Sequence, residues 1–147
     1  MAALTMKTPV GEITIEEKDG SITRIYPGVT EALGNASVLI KAKQQLEEYF
    51  SGKRQTFDLP LAPAGTEFQQ KVWQALLEIP YGKTATYGEL AEAVGNPKAA
   101  RAVGMALNKN PIPIIIPCHR IIGKNGTLTG FAWGIEAKKH LIVLEQK

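Results

Sequence analysis

The spacing of apolar residues predicts a strand-containing first part of the chain and a helical second part. Apolar and polar residues alternate in residues 11–28 on both sides of the sequence Lys-Asp-Gly at 18–20, which predicts a β-hairpin. Residues 36–53 carry apolar side chains at helical spacing and predict a helix that stops at Gly52. Residues 54–65 predict one more strand and then a linker rich in proline and glycine.

A second helix is predicted to begin after Thr66. Thr66 and Gln69 have the spacing of a capping box, in which each side chain satisfies a backbone N–H of the first turn. The residues Pro80-Tyr81-Gly82 predict its end. Its apolar residues are expected on one side: Phe68, Val72, Trp73, Leu76 and Leu77.

Two short helices are predicted to follow, joined by a Gly-Asn turn. Thr86 and Glu89 form a second capping box for the first of them, which Gly95 ends. Asn96 is the predicted N-cap of the next helix, and Pro97 is its predicted first residue. This arrangement is typical of a helix-turn-helix, although most short helix pairs are simply packing units.

These elements predict an α+β protein with two lobes. Residues 1–62 are expected to form an αβ lobe with a small antiparallel sheet and one helix. Residues 63–147 are expected to form a mainly helical lobe that contains the helix-turn-helix. The first residues lack the basic start and apolar core of an export signal. The second methionine, Met6, indicates that residues 1–5 are an untidy or non-native start of the sequence.

Charge is distributed unevenly, although the net charge is only +3. Residues 93–135 contain no acidic residue and five basic ones, so this stretch favours binding to a polyanion. The alternative is that acidic residues simply lie elsewhere. The five basic residues are Lys98, Arg101, Lys109, Arg120 and Lys124.

The chain has a single cysteine, Cys118, and the residue after it is His119. One cysteine excludes an internal disulfide, and one cysteine with two histidines makes a zinc site improbable. A lone cysteine is most often a small core residue, but a thiol beside a base can be a nucleophile. An imidazole base also needs an orienting group, and spacing does not choose between Glu136 and Glu145.

Three segments together resemble the O6-alkylguanine-DNA alkyltransferases, also called methylated-DNA–protein-cysteine methyltransferases. They are NPIPIIIPCHRIIG at 110–123, TATYGELAEAVGNPKAARAVGMAL at 84–107 and GTLTGFAWGIEAKKHLIVLE at 126–145. The resemblance is close over residues 66–145 and holds only in outline before them. Asn-Pro-x-Pro before Pro-Cys-His-Arg, with the Arg-Ala-Val-Gly helix, makes the match specific.

The resemblance implies a direct and irreversible transfer of an alkyl group from O6 of guanine to Cys118. His119 would remove the thiol proton through a water molecule, and Glu145 would orient the imidazole. Asn110 would fix the backbone of the site and the thiolate. Tyr87 would donate a hydrogen bond to the guanine so that it leaves as a neutral species.

The resemblance also implies how DNA is held. Arg101 would enter the base stack in place of a flipped nucleotide, and its helix would lie in the minor groove. Small residues on that helix would allow a close approach to DNA, or would serve helix packing: Ala100, Ala102 and Gly104. The loop from Gly130 would line the alkyl pocket. Its residues differ from a more usual tyrosine, serine and glycine, which puts the fit of large alkyl groups in doubt: Phe131, Ala132 and Trp133.

The expected protein is therefore a cytoplasmic monomer that acts once on double-stranded DNA containing O6-alkylguanine. It needs no cofactor, no metal and no membrane. One alternative is a DNA-binding protein that recognises alkylated bases without transferring the group, in which Cys118 would be replaced. Another is a cysteine hydrolase, for which the sequence shows no oxyanion site.

Overall fold

The computed structural model of the chain describes residues 2–30 and 36–147. These residues form two compact units, Met1–Ala64 and Gly65–Lys147. The first unit contains β1 Ala2–Thr8, β2 Gly11–Lys18, β3 Ser21–Pro27 and α1 Ser37–Phe50. The second contains α2 Glu67–Leu77, β4 Ala85–Thr86, α3 Tyr87–Ala93, α4 Ala100–Asn108, β5 Ile121–Ile122 and α5 Ile135–Glu145. The predicted α+β class is confirmed.

The first unit is an antiparallel sheet in the order β1-β2-β3, with α1 packed on it. The predicted hairpin is confirmed as β2 and β3. Asp19 and Gly20 both have positive φ, as the tight turn between twisted strands requires. The predicted helix over 36–53 is α1, and Gly52 adopts positive φ just beyond its end. Isoleucine and leucine side chains dominate the core of the first unit: Ile13, Ile15, Ile22, Ile25, Leu39 and Leu46.

One strand of this unit was not predicted, and one predicted strand is wrong. Residues 2–8 form a regular strand paired along β2, from Ala2 opposite Glu17 to Thr8 opposite Gly11, which the sequence analysis did not predict. Met1 lies outside the described residues. Residues 54–65 form no strand with a ladder of their own, only one parallel bridge between Ile22 and Leu61. Proline at 60 and 63 removes the N–H groups that a longer ladder would need.

Helix α2 begins as its capping box predicts. Thr66 Oγ1 accepts from the Gln69 backbone N–H, and the Gln69 side chain accepts from the Thr66 backbone N–H. Trp73 is buried, and its indole N–H donates to the Ala106 carbonyl at 2.9 Å, which ties α2 to α4. Of the five apolar residues predicted on one side, Val72, Trp73 and Leu76 are buried, Phe68 is partly buried and Leu77 is 40% exposed at the edge of that side.

Helices α3 and α4 pack together as the predicted pair. The capping box of Thr86 and Glu89 is present at the start of α3. The predicted start of α4 is wrong, because the helix begins at Ala100 and Asn96 does not cap it. Asn96 instead accepts from the Lys98 backbone N–H at 3.3 Å, so its side chain stabilises the turn before α4. Within the described ranges, no helix is long and apolar enough to cross a membrane.

Candidate active site

The segment before Cys118 is a compact, irregular loop. Asn110 holds it from within, since its Nδ2 donates to the Ile116 carbonyl at 2.9 Å and its Oδ1 accepts from the Ile112 N–H at 3.0 Å. Ile114 lies at φ 75°, a conformation that is strained for a β-branched residue and is found mostly where the surroundings impose it. The proline-rich approach therefore does produce a constrained backbone without a ladder, and Asn110 is the side chain that braces it.

Cys118 begins a single 3₁₀ turn that also contains His119 and Arg120. The thiol is buried, and burial raises its pKa to about 11, although the Asn110 side chain and the positive charge of Lys138 act in the opposite direction. Cys118 is therefore a neutral thiol at rest. A base must remove its proton before the sulfur can act as a strong nucleophile.

His119 is fully buried and is held by one carboxylate. Its Nε2 lies 2.7 Å from Glu145 Oε2, while its Nδ1 has no hydrogen-bond partner among the described residues. Burial lowers the pKa of His119, against the effect of Glu145, so the imidazole is neutral at rest. With a proton on Nε2 donated to Glu145, Nδ1 carries the lone pair that a base needs.

Glu145, at the last turn of α5, is the carboxylate that meets His119. Glu136 is exposed at the first turn of α5. Sequence spacing did not choose between Glu136 and Glu145 as the partner of the imidazole, and the structure shows that it is Glu145. Arg120 also binds Glu145, with Nε 2.9 Å from Oε1 and Nη2 3.1 Å from Oε2. The carboxylate is thus fixed by a bidentate arginine while it accepts from the imidazole.

Tyr87 is the first residue of α3, and its hydroxyl lies 2.6 Å from Thr129 Oγ1. Thr129 in turn accepts from Lys138 Nζ, at 3.4 Å on its hydroxyl and 3.3 Å on its carbonyl. Neither Thr129 nor Lys138 was predicted as a site residue. Lys138 could have been found by helical spacing, because it shares the buried side of α5 with Leu141 and Glu145.

Arg101 is exposed on the first turn of α4, and Ala102 beside it is also exposed. Ala100 is partly buried. Gly104 faces the ring of Tyr87, since a Cβ there would lie 3.7 Å from the ring, and this contact favours helix packing for Gly104. The predicted basic stretch needs one correction: Arg120 is buried against Glu145 and contributes no exposed charge. Four exposed cations remain: Lys98, Arg101, Lys109 and Lys124.

The loop between β5 and α5 carries the predicted pocket residues. Phe131 and Trp133 are partly buried, with ring centroids 6.1 Å apart, and Ala132 is exposed. Gly134, the residue just before α5, follows at φ 96°, a conformation that glycine adopts without strain. The paired rings give this loop an apolar surface.

These residues are those of a protein with a cysteine nucleophile. The buried cysteine is followed in sequence by a neutral histidine that a carboxylate orients. Such an arrangement can generate a thiolate on demand and use it as a nucleophile. Among residues 2–30 and 36–147, no three histidine, cysteine, aspartate or glutamate side chains are grouped as a metal site would require.

Known proteins are similar to this chain in sequence and in fold. Residues 1–63 match the family model described as 6-O-methylguanine DNA methyltransferase, ribonuclease-like domain, and residues 67–147 match the model for its DNA binding domain. The constitutive methylated-DNA–protein-cysteine methyltransferase of Bacillus subtilis is 49% identical over 154 aligned residues, which cover 97% of this chain and 93% of that protein. The corresponding protein of Methanosarcina acetivorans is 60% identical over 111 residues, 76% of this chain and 71% of that one.

A solved structure of Mycobacterium tuberculosis OGT in complex with DNA superposes with a TM-score of 0.91. It is 43% identical, and the match covers 99% of this chain and 93% of that chain. The chain belongs to the O6-methylguanine DNA methyltransferase family. The resemblance found in the sequence is thereby confirmed.

Proposed function

We propose that this protein repairs O6-alkylguanine in double-stranded DNA by moving the alkyl group to Cys118, once per molecule and irreversibly. One observation carries the proposal: the buried Cys118 thiol is followed by His119, whose Nε2 is bound to Glu145 and whose Nδ1 is left unpaired among the described residues. Because the chain has one cysteine, a protein-cysteine methyltransferase of this sequence has one acceptor for the group.

The chemical steps follow from the charges of these groups. His119 Nδ1 takes the thiol proton through a water molecule, and the imidazolium that forms is stabilised by Glu145. The sulfur then attacks the alkyl carbon, its electron pair forms the S–C bond, and the C–O6 bond breaks. Tyr87 gives a proton to the departing guanine, which lowers the cost of an anionic leaving group. Asn110 holds the backbone and stabilises the negative sulfur.

DNA must open for this chemistry, because O6 of a stacked guanine is out of reach of a buried thiol. We propose that α4 enters the minor groove and that the guanine is flipped out, with Arg101 filling the space it leaves. The exposed position of Arg101, with three further exposed cations nearby in sequence, supports this placement. Since every proposed group comes from a single chain, a monomer suffices, and a free reactive thiol favours the reducing cytoplasm.

The two alternatives from sequence fit less well. A DNA-binding protein that recognises alkylated bases without transferring the alkyl group does not need an activated cysteine. A hydrolase would need turnover, whereas a thioether on Cys118 is a stable product. The relatives named above are methyltransferases, which favours transfer over both.

Intact-mass measurement tests the function most directly. The protein is incubated with duplex DNA carrying one O6-methylguanine, and its mass is followed with time. We expect a gain of one methyl group per protein molecule, equal in amount to the guanine restored in DNA. Restoration of more lesions than there are protein molecules would contradict single use, and restoration without a mass gain would contradict transfer to the protein.

The role of Arg101 has its own test. Arg101→Ala is expected to slow repair of duplex DNA by about tenfold or more while weakening binding less. Unstacking the guanine costs a few kcal/mol, and the variant lacks the side chain that would fill the vacated space and offset part of that cost. The same variant is expected to react with free O6-methylguanine base at close to the normal rate, since nothing there needs flipping. Single-turnover rates on the two substrates measure this.

Lys98→Ala is the matched control, because Lys98 is an exposed cation just before the same helix. A lysine that contacts only phosphate is expected to weaken binding equally for damaged and undamaged DNA. Equal losses for Arg101→Ala on duplex and on free base would show that Arg101 supports the fold or the pocket, and the flipping role would be wrong.

A further inference from the structure

Three polar side chains from three different segments form a continuous hydrogen-bonded chain, and the charge of its last member, Lys138, acts on Cys118. Tyr87 lies at the start of α3, Thr129 in the loop after β5, and Lys138 on α5. The Tyr87 hydroxyl and Thr129 Oγ1 are 2.6 Å apart, and Lys138 Nζ is 3.4 Å from the same Oγ1. Lys138 is buried, although lysine is among the residues least often found inside proteins.

The chemistry of the groups gives this chain a direction. An ammonium group has three hydrogens and no acceptor, so Thr129 Oγ1 accepts in its contact with Lys138. The single hydrogen of Thr129 is then available to Tyr87 Oη. In that arrangement the phenolic hydrogen of Tyr87 is directed away from Thr129 and is free to be donated to a substrate.

We propose that Lys138 and Thr129 form a proton relay that replaces the proton which Tyr87 gives to the departing guanine. This rests on the proposed function, in which Tyr87 is the donor to the leaving group. Tyr87 loses its phenolic proton to guanine, Thr129 passes its hydroxyl proton to the Tyr87 oxygen, and Lys138 passes an ammonium proton to Thr129. The products are neutral Tyr87, neutral Thr129 and a neutral Lys138 amine, while the thiol proton stays on His119.

The charge on Cys118 sets the timing of the relay. Burial lowers the pKa of Lys138, and the negative sulfur of Cys118 partly opposes this. While the thiolate exists, the ammonium stabilises it. When the S–C bond forms, the sulfur becomes a neutral thioether and that stabilisation is lost. Lys138 therefore gives up a proton most readily at the moment when negative charge appears on the guanine.

Thr129→Val tests the relay because valine has nearly the shape of threonine without the hydroxyl. Lys138 keeps its contact with the backbone carbonyl of residue 129, so no buried ammonium loses all its partners. We expect Thr129→Val to slow single-turnover transfer from O6-methylguanine in duplex DNA by about tenfold to a hundredfold. This is below the roughly 10²- to 10⁴-fold that a general acid contributes, because Tyr87 itself remains in place. Thr129→Ser restores a hydroxyl and is expected to stay within about threefold of the wild type.

Iodomethane separates a proton-relay role from a structural one. It methylates Cys118 with iodide as the leaving group, and iodide needs no proton. Wild type and Thr129→Val are therefore expected to react with iodomethane at the same rate. Thr127→Val is the matched control for the loop, because Thr127 is exposed two residues earlier, and it is expected to match the wild type with both reagents.

Each outcome distinguishes the relay from a packing role of Thr129 or from failure of the proposed function. A loss of rate in Thr129→Val that is equal for DNA and iodomethane would show that Thr129 only packs the site, and would overturn the relay. Unchanged rates with both reagents would overturn the relay while methyl transfer by the wild type still supports the proposed function. A wild type that iodomethane methylates but O6-methylguanine DNA does not would overturn the proposed function and the relay with it.

Discussion

Cys118→Ser is expected to bring methyl transfer from O6-methylguanine DNA below detection, and Cys118→Ala to do the same. A serine hydroxyl is a far weaker acid than a thiol, so a neutral imidazole at His119 does not generate its anion at a useful rate. Affinity for DNA is expected to change by less than about threefold, because a buried side chain makes no phosphate contact. Intact mass after incubation measures transfer, and titration of labelled duplex measures binding.

Both variants are expected to fold, since each replaces a small buried side chain by one of similar or smaller size. Thermal unfolding checks this before any rate is compared. A methyl gain in either variant would place the acceptor elsewhere and would contradict the assignment of Cys118. A large loss of DNA binding in both would show that Cys118 supports the DNA-binding surface rather than the chemistry alone.

Local signals in the sequence predicted the elements that depend on neighbouring residues. Both capping boxes, at Thr66 and Thr86, and the hairpin turn at Asp19 are present in the structure, because each needs only residues three or four positions apart. The strand β1 was missed because its backbone pairing with β2 is not visible in its own composition: only Ala3 and Met6 are buried, and they do not alternate. The start of α4 was misplaced because Asn96 bonds within the preceding turn.

The candidate site was predictable where one short segment holds it and less so where distant segments meet. Cys118, His119 and Asn110 lie in one stretch of ten residues and were found by motif. The buried role of Arg120 was not found, because only the fold shows that its charge meets Glu145 and is withdrawn from the surface. Thr129 was missed for the same reason, since its contacts with Tyr87 and Lys138 join three segments. The burial of Lys138 could have been found from its spacing on α5, but its partners could not.

Glu145→Gln is expected to slow transfer by at least about 100-fold, the range typical of losing a general base. A glutamine side chain can donate its amide hydrogens to Nε2 of His119, which places the imidazole proton on Nδ1. That tautomer has no lone pair on Nδ1 to accept the thiol proton, and the Cys118 thiol, with its pKa raised to about 11, does not ionise unaided. Glu136→Gln, on the exposed first turn of α5, is expected to react within about twofold of the wild type.

Glu145→Gln also removes the partner of a buried arginine, so its effect on folding must be separated from its effect on rate. Breaking a buried ion pair costs about 3 to 5 kcal/mol of stability. Arg120→Lys keeps the carboxylate on His119 but loses the bidentate contact, and is expected to unfold at lower temperature while reacting within about threefold per folded molecule. Rates are therefore compared at a temperature where thermal unfolding shows all three variants folded.

If Arg120→Lys slowed transfer as much as Glu145→Gln, packing and not the histidine tautomer would explain the loss. If Glu136→Gln were the slowest of the three, Glu145 would not be the orienting carboxylate.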